Sequence, residues 1–143
     1  MQKGKIKKTD PENKFRRVLA ASTLEGDNVR NSAGEDLGTV DEIMIDIPSG
    51  KIAYAVLSFG GVLGMGNKLF AVPWSVLKVD EDEKCFILDL EKKTLEGAPG
   101  FDKSNWPDMA DTGWGLEVYQ FYGETPYWQE HEETKIYRGN GGL

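Results

Sequence analysis

Between Lys51 and Trp74 the chain reads KIAYAVLSFGGVLGMGNKLFAVPW: an apolar strand, a glycine-rich turn, and a second apolar strand stopped by a proline and a tryptophan. Ile52, Tyr54, Val56 and Ser58 alternate with Ala53, Ala55, Leu57 and Phe59, so both faces of the first strand are largely apolar. That pattern belongs to a central strand covered on its outer side as well as on its core side. Within this chain only the C-terminal segment is left to supply the cover. The second strand, Lys68 to Val72, ends at Pro73, which cannot donate to a ladder.

The flanking sequence is a run of short strands cut by turn signals, which predicts an all-β barrel or sandwich. Asn28 to Asn31 forms a first strand, followed by the turn Asn31-Ser-Ala-Gly34, where Gly34 is free to take positive φ. Leu37 to Ile47 (LGTVDEIMIDI) is the next strand, with Ile43, Ile45 and Ile47 inward and Met44 and Asp46 outward. Val40 breaks that alternation, which places a bulge near Asp41 and Glu42. Pro48-Ser-Gly50 closes a hairpin. After Trp74, Ser75 to Val79 is short and extended, Asp80 to Glu83 is a solvated acidic turn, and Lys84 to Leu90 is the last strand. The expected core is Ile43, Ile45, Tyr54, Val56, Phe70, Val72, Trp74, Phe86 and Leu88.

Beyond Glu91 the period changes. Lys92 to Gly97 reads as one or two helical turns, and GFDKSNWPDM as an irregular loop. In Thr112 to Tyr122, residues Trp114, Val118, Phe121 and Tyr122 give a short helix one apolar face. The chain thus divides into a disordered basic arm (1–20), a β-domain (21–97) and an aromatic C-terminal extension with a short helix and a frayed tail (98–143).

Charge follows the same division. Residues 1–20 carry seven Lys/Arg against Asp10 and Glu12, a surplus of +5, whereas the other 123 residues carry 10 Lys/Arg against 22 Asp/Glu, a balance of −12. The arm is the only part suited to nucleic acid or an anionic membrane surface, because the acidic body repels phosphate. The single Cys85 lies in an apolar run and forms no internal disulfide. No apolar run approaches the ~20 residues of a membrane span, and the basic N-terminus lacks the apolar centre of a signal peptide. The expectation is a cytoplasmic protein.

Catalytic and metal chemistry find no foothold. His131, the only histidine, sits in the polar tail beside Glu130, Glu132 and Glu133, without the partners a nucleophile or a zinc site requires. The glycine loop joins two strands rather than opening a helix, and its spacing fits no phosphate-binding pattern. We therefore expect no catalytic residues, no cofactor and no metal. The candidates for contact are the apolar loop residues Val62, Leu63 and Met65 and the aromatic residues Trp106, Trp114, Phe121, Tyr122 and Trp128, which either cap the chain's own sheet or bury against a second copy.

GEDLGTVDEIMID, IAYAVLSFGG and LFAVPW together resemble the PRC-barrel family, over roughly Ser22 to Leu95. The family is named after the cytoplasmic domain of the photosynthetic reaction-centre H subunit, and it includes a module of a ribosome-maturation factor and small stand-alone bacterial proteins. APGFDKSNWPDM is similar to the extension of the stand-alone members. The resemblance implies a mainly β fold, a small, strongly bent antiparallel barrel of five or six strands with a short C-terminal helical extension. It also implies a non-catalytic protein-interaction or assembly role, to which the apolar loop and the aromatic extension add the expectation of self-association as a homodimer. The alternatives are an RNA- or ribosome-maturation-associated factor acting through the basic arm, and a membrane-surface accessory of an electron-transfer complex.

Overall fold

The structure, a computed structural model, describes residues 18–60 and 67–129. Seven strands run in chain order: β1 (Asn28–Arg30), β2 (Asp36–Asp46), β3 (Lys51–Gly60), β4 (Asn67–Pro73), β5 (Leu77–Asp80), β6 (Cys85–Leu88) and β7 (Phe101–Asp102). Helices α1 (Ala21–Leu24), α2 (Lys92–Glu96) and α3 (Thr112–Tyr122) accompany them, residues 127–129 are helical again, and a 3₁₀ turn over Trp74–Val76 joins β4 to β5. Part of the stretch expected to be extended after Trp74 is thus the 3₁₀ turn, and the loop expected to be irregular contains the two-residue strand β7. The helix expected over Thr112–Tyr122 has those bounds.

The protein is mainly β, with one sheet in the order β5-β6-β1-β2-β3-β4-β7. Every pairing is antiparallel except β1 with β6, which is parallel. The ladder ends at β5 and β7 without closing, yet the sheet is strongly bent. Laid flat, β6 and β4 would lie four ladder spacings apart, roughly 19 Å. Instead, the Trp74 ring that follows β4 meets Phe86 of β6 edge-on at 5.8 Å. Val29, Leu37, Val40, Leu57, Phe70, Val72, Phe86 and Leu88, drawn from five strands, share one buried core. Cys85 is buried as a free thiol.

Two bulges allow β2 and β3 to make this bend. Val40 pairs with Leu57 and Glu42 with Val56, so Asp41 is an extra residue on β2. This is the bulge that the sequence calls for, and it lets Val40 and Ile43 both face the core despite their odd separation. On β3, Met44 pairs with Tyr54 but Ile45 with Ile52, leaving Ala53 as the extra residue. Neighbouring residues in a regular strand point to opposite sides. Here Ala53 and Tyr54 both pack into a second buried cluster, with Ala71, Val118 and Tyr119. That cluster is the outer cover expected for β3, and α3 supplies it.

The expected core is realised at Tyr54, Val56, Phe70, Val72, Phe86 and Leu88, all buried, with Ile43 and Trp74 partly buried against the same core. Ile45 and Ile47 are corrections: they are 52% and 81% exposed. Ile45 keeps the parity of Ile43, but the hairpin carries it past the end of the core, and Ile47 lies in the turn beyond β2.

Turn chemistry fixes the ends of the strands. The buried Asn31 accepts through Oδ1 from the amides of Ala33 and Glu35 and donates through Nδ2 to the Leu90 carbonyl, which ties the β1–β2 turn to the segment after β6. Asp111 caps α3 by accepting from the Gly113 amide at 2.8 Å, and Gly123 ends the helix at φ +70°.

Gly34 and Gly38 separate backbone strain from steric overlap. Both have positive φ, but a Cβ on Gly34 meets open space, whereas one on Gly38 overlaps the Ser58 carbonyl oxygen of the neighbouring strand. Gly34→Ala is expected to cost about 1–2 kcal/mol in denaturant unfolding, the left-handed penalty alone. Gly38→Ala is expected to cost about 3 kcal/mol or more, because β3 must also move. Equal losses would show that β2 and β3 do not approach as described.

Candidate functional site

The hairpin joining β2 to β3 ends in a tight turn. The Gly50 amide donates to the Asp46 carbonyl at 2.7 Å, Gly50 takes φ +74°, and the Lys51 amide donates to the Ser49 hydroxyl at 3.2 Å. Pro48, with its fixed φ, starts the reversal where the sequence predicts it. Asp46 and Lys51 pair across the first rung, Ile45 and Ile52 across the next. Directly paired residues point to one side of a sheet. Ile45 and Ile52 therefore continue the core-facing side of the sheet beyond the end of the core.

An open cleft of about 440 Å³ lies against this hairpin. Gly50, Lys51 and Ile52 form one wall, Trp74 and Ser75 of the 3₁₀ turn another, and Tyr119, Thr125 and Tyr127 the third. The Ser75 hydroxyl donates to Glu124 at 2.9 Å and so ties the 3₁₀ turn to the chain leaving α3. The Tyr127 phenol hydrogen-bonds Asp46, holding that chain to the hairpin.

Behind the cleft runs an aromatic seam. Trp114 meets Tyr54 at 5.3 Å, Tyr54 meets Tyr119 at 5.5 Å, and Tyr119 meets Trp128 at 5.6 Å and Tyr127 at 6.3 Å. Tilted and edge-on pairs at such distances suit the ring quadrupoles. The Tyr119 hydroxyl donates to the Ala53 carbonyl at 2.8 Å, satisfying the residue that the β2–β3 register skips. Gly115 lets the layers close: a Cβ there would come within 2.7 Å of Trp128 and 2.9 Å of the Tyr54 hydroxyl.

The aromatic residues singled out in the sequence fall into two groups. Trp114, Tyr122 and Trp128 are partly buried against the second cluster, over the chain's own sheet. Trp106, 39% exposed, lies on Phe101 at 5.0 Å, and Phe121, 37% exposed, lies on Tyr122 at 5.0 Å. Val62, Leu63, Met65 and His131 lie outside the described residues. The sequence reading missed the cleft itself, with Ile52 and Tyr127 in its walls, and the exposure of Ile45 and Ile47 beside it on the hairpin. A signal was present: the apolar alternation of β2 runs unbroken to Pro48, so the hairpin carries more apolar length than a small core can cover. Among the described residues, no group of three or more His, Cys, Asp or Glu could hold a metal ion, and no helix is long and apolar enough to cross a membrane.

Comparison with known proteins gives one family. The family model described as PRC-barrel domain matches residues 16–95. No curated protein matches the chain. Among solved structures, the chain is similar to one from Pseudomonas aeruginosa designated RimM, a 16S ribosomal RNA processing protein, with 13% identity and a TM-score of 0.40. The likeness covers 62% of this chain and 50% of that one, so the match spans about half the length of that protein.

The seam and the cleft make testable demands. Tyr119→Phe keeps the ring contacts but leaves the buried Ala53 carbonyl without this donor, and is expected to cost about 1–3 kcal/mol. A loss below about 0.5 kcal/mol would mean that water replaces the hydroxyl at no cost. A second demand concerns alkali. Burial, then the hydrogen bond to Asp46 and its charge, push the Tyr127 phenol from 10.0 up to about 12. Burial pushes Tyr54 and Tyr122 up as well. The neutral phenols are the forms that fit, so their stabilisation is complete below the ordinary value of 10.0 and is lost as pH rises through about 12. Tyrosinate absorbance is expected to rise in a late step that coincides with loss of tertiary circular dichroism. Complete ionisation near pH 10 with the fold intact would contradict this placement.

Proposed function

This chain belongs to the PRC-barrel domain family, and we propose that it acts as a non-catalytic protein-interaction module whose contact surface is the β2–β3 hairpin and the cleft beside it. The observation that carries this reading is the exposure of Ile45 and Ile47 at the β2–β3 hairpin, where Ile45 pairs with Ile52 of the cleft wall. Two branched apolar side chains presented to water at the end of a hairpin, Ile45 on the last rungs of β2 and Ile47 in the turn, are a liability for an isolated domain, and they are the kind of feature a contact surface uses.

Self-association is the less favoured form of this reading. Residues 18–129 carry 8 Lys/Arg against 19 Asp/Glu, a balance of −11. Two such bodies meeting face to face would repel each other, so the surface suits a different protein better than a second copy.

The test compares the full chain with Ile45→Glu/Ile47→Glu. Both positions are exposed, so the double variant is expected to melt within a few degrees of the parent. Immobilised parent should retain a defined set of proteins from a cell extract, and the double variant should lose them. Retention of the same set by both would remove the hairpin from the function. A single-species mass for the full chain at the monomer value would agree with the preference for a foreign partner, and a dimer broken by the double variant would restore self-association.

A further inference from the structure

We infer that residues 134–138 of this same chain add to the sheet as an edge strand, antiparallel to β2 along Ile43–Ile45. The inference goes beyond the contact reading above and does not depend on it.

β2 is paired on both sides over only part of its length. β3 accompanies it from Thr39 to Asp46, whereas its pairing with β1 stops at Thr39. Hydrogen bonds at its two ends fix which way the backbone faces in between. The Gly50 amide donates to the Asp46 carbonyl across the hairpin, so Asp46 turns its backbone groups toward β3. Successive residues of a strand alternate in this respect. Met44 therefore also faces β3, and Ile43 and Ile45 turn their N–H and C=O away from it. Val40, before the bulge, faces away as well, and the link between α1 and β1 meets it there. Its amide donates to the Asp27 carbonyl at 3.0 Å, and its carbonyl accepts from the Gly26 amide at 2.8 Å. Among the described residues, no strand or loop backbone does the same for Ile43 and Ile45. Such a row of unpaired groups is a template for one more strand.

The path of the chain names the occupant. After α3 it crosses the ends of the strands in the order β4, β3, β2. Glu124 is bonded to Ser75 beyond β4, Thr125 and Tyr127 line the cleft with Gly50 and Lys51 at the start of β3, and Tyr127 is bonded to Asp46 at the end of β2. Next in that order is the free edge, and the described chain ends at Gln129, just past Tyr127. Residues 130–133 reach at most about 14 Å, ample for one strand spacing of about 4.8 Å. Thr134-Lys-Ile-Tyr-Arg138 follows, and Thr, Ile and Tyr suit a strand. Lys135 and Arg138 would lie along a stretch of β2 that carries Asp41, Glu42 and Asp46 and no cation. Entry at the Asp46 end makes the added strand antiparallel to β2, and Gly139-Asn-Gly-Gly142 terminates it. Composition alone reads this tail as frayed; the free edge beside its starting point gives it a seat.

Amide hydrogen exchange of the full-length chain tests the pairing. The Ile43 and Ile45 amides are expected to be protected together with amides in 134–138, and cross-strand proton contacts are expected between the two segments. Neighbouring strand residues face opposite sides, so Ile136→Pro/Tyr137→Pro removes an inward donor whichever of the two carries it. In that variant Ile43 and Ile45 are expected to exchange about tenfold faster or more, while Met44, whose amide faces β3, keeps its rate. Ile43 and Ile45 amides that exchange freely in the parent would overturn the pairing, as would protection that survives both prolines. A mixture of isotope-labelled and unlabelled chains separates contacts within a chain from contacts between chains. Contacts found only between chains would put the segment on a second copy and overturn its placement on its own sheet. None of these outcomes alters what Ile45→Glu/Ile47→Glu says about the contact reading.

Discussion

The hydrogen bond from the Tyr119 hydroxyl to the Ala53 carbonyl holds the two halves of this protein in register. A bulge in a central strand turns the sheet but breaks the ladder at the extra residue. In water that break costs little; beneath a helix, an unpaired carbonyl costs about 1–3 kcal/mol. The bulge at Ala53 is therefore compatible with a covered outer face only if the cover brings a donor. Tyr119 brings it on a helix capped by Asp111 and ended at Gly123, so that the donor sits one turn from a fixed terminus. The same bulge turns Ala53 and Tyr54 to one side, which widens the apolar surface that α3 can bury. Sheet curvature and helical cover are in this sense one arrangement.

The cleft is a consequence of that arrangement. Once α3 is seated, the chain leaving it passes the hairpin, and two polar contacts hold it there: Tyr127 to Asp46, and Glu124 to Ser75. On β2 the main core ends at Ile43, two rungs before Ile45 and Ile52. Between the end of the core and the passing chain lies a gap whose walls are the leftovers of both layers: Trp74 from the curled sheet, Tyr119 and Tyr127 from the cover, and Ile52 from the hairpin. The site therefore sits where the sheet and its C-terminal cover fail to meet completely, which is why it lies partly outside residues 16–95, the region that matches the family model.

How much of this was legible in the sequence depends on the range of the interaction concerned. Short-range chemistry was readable: the Asn31–Gly34 and Pro48–Gly50 turns, the helix over Thr112–Tyr122, and the bulge at Asp41 that follows from the misplaced parity of Val40. The need for an outer cover could also be read, because β3 is apolar on both faces. The second bulge could not, since Ala53 and Tyr54 alternate with their neighbours like any strand residues, and only the cross-strand register reveals the extra residue. Parity likewise put Ile45 on the same side as Ile43 but could not say where along β2 the core stops, nor that Ile47 falls in the turn beyond the strand. That limit is set by residues far away in the chain, such as Trp74 and Phe86, whose contact closes the end of the core. The parallel pairing of β1 with β6 has the same origin, because it joins segments more than fifty residues apart.

The exposed isoleucines also bear on how one copy of the domain meets another. An apolar hairpin tip invites pairing with its own kind, and natural sheets oppose this with charge. Here the charge is distributed so that like bodies repel: four carboxylates and no cations along β2, and a balance of −11 over residues 18–129. In the proposed contact reading, the same distribution would weigh against like-charged copies, most strongly at low ionic strength, because repulsion between them falls off with screening.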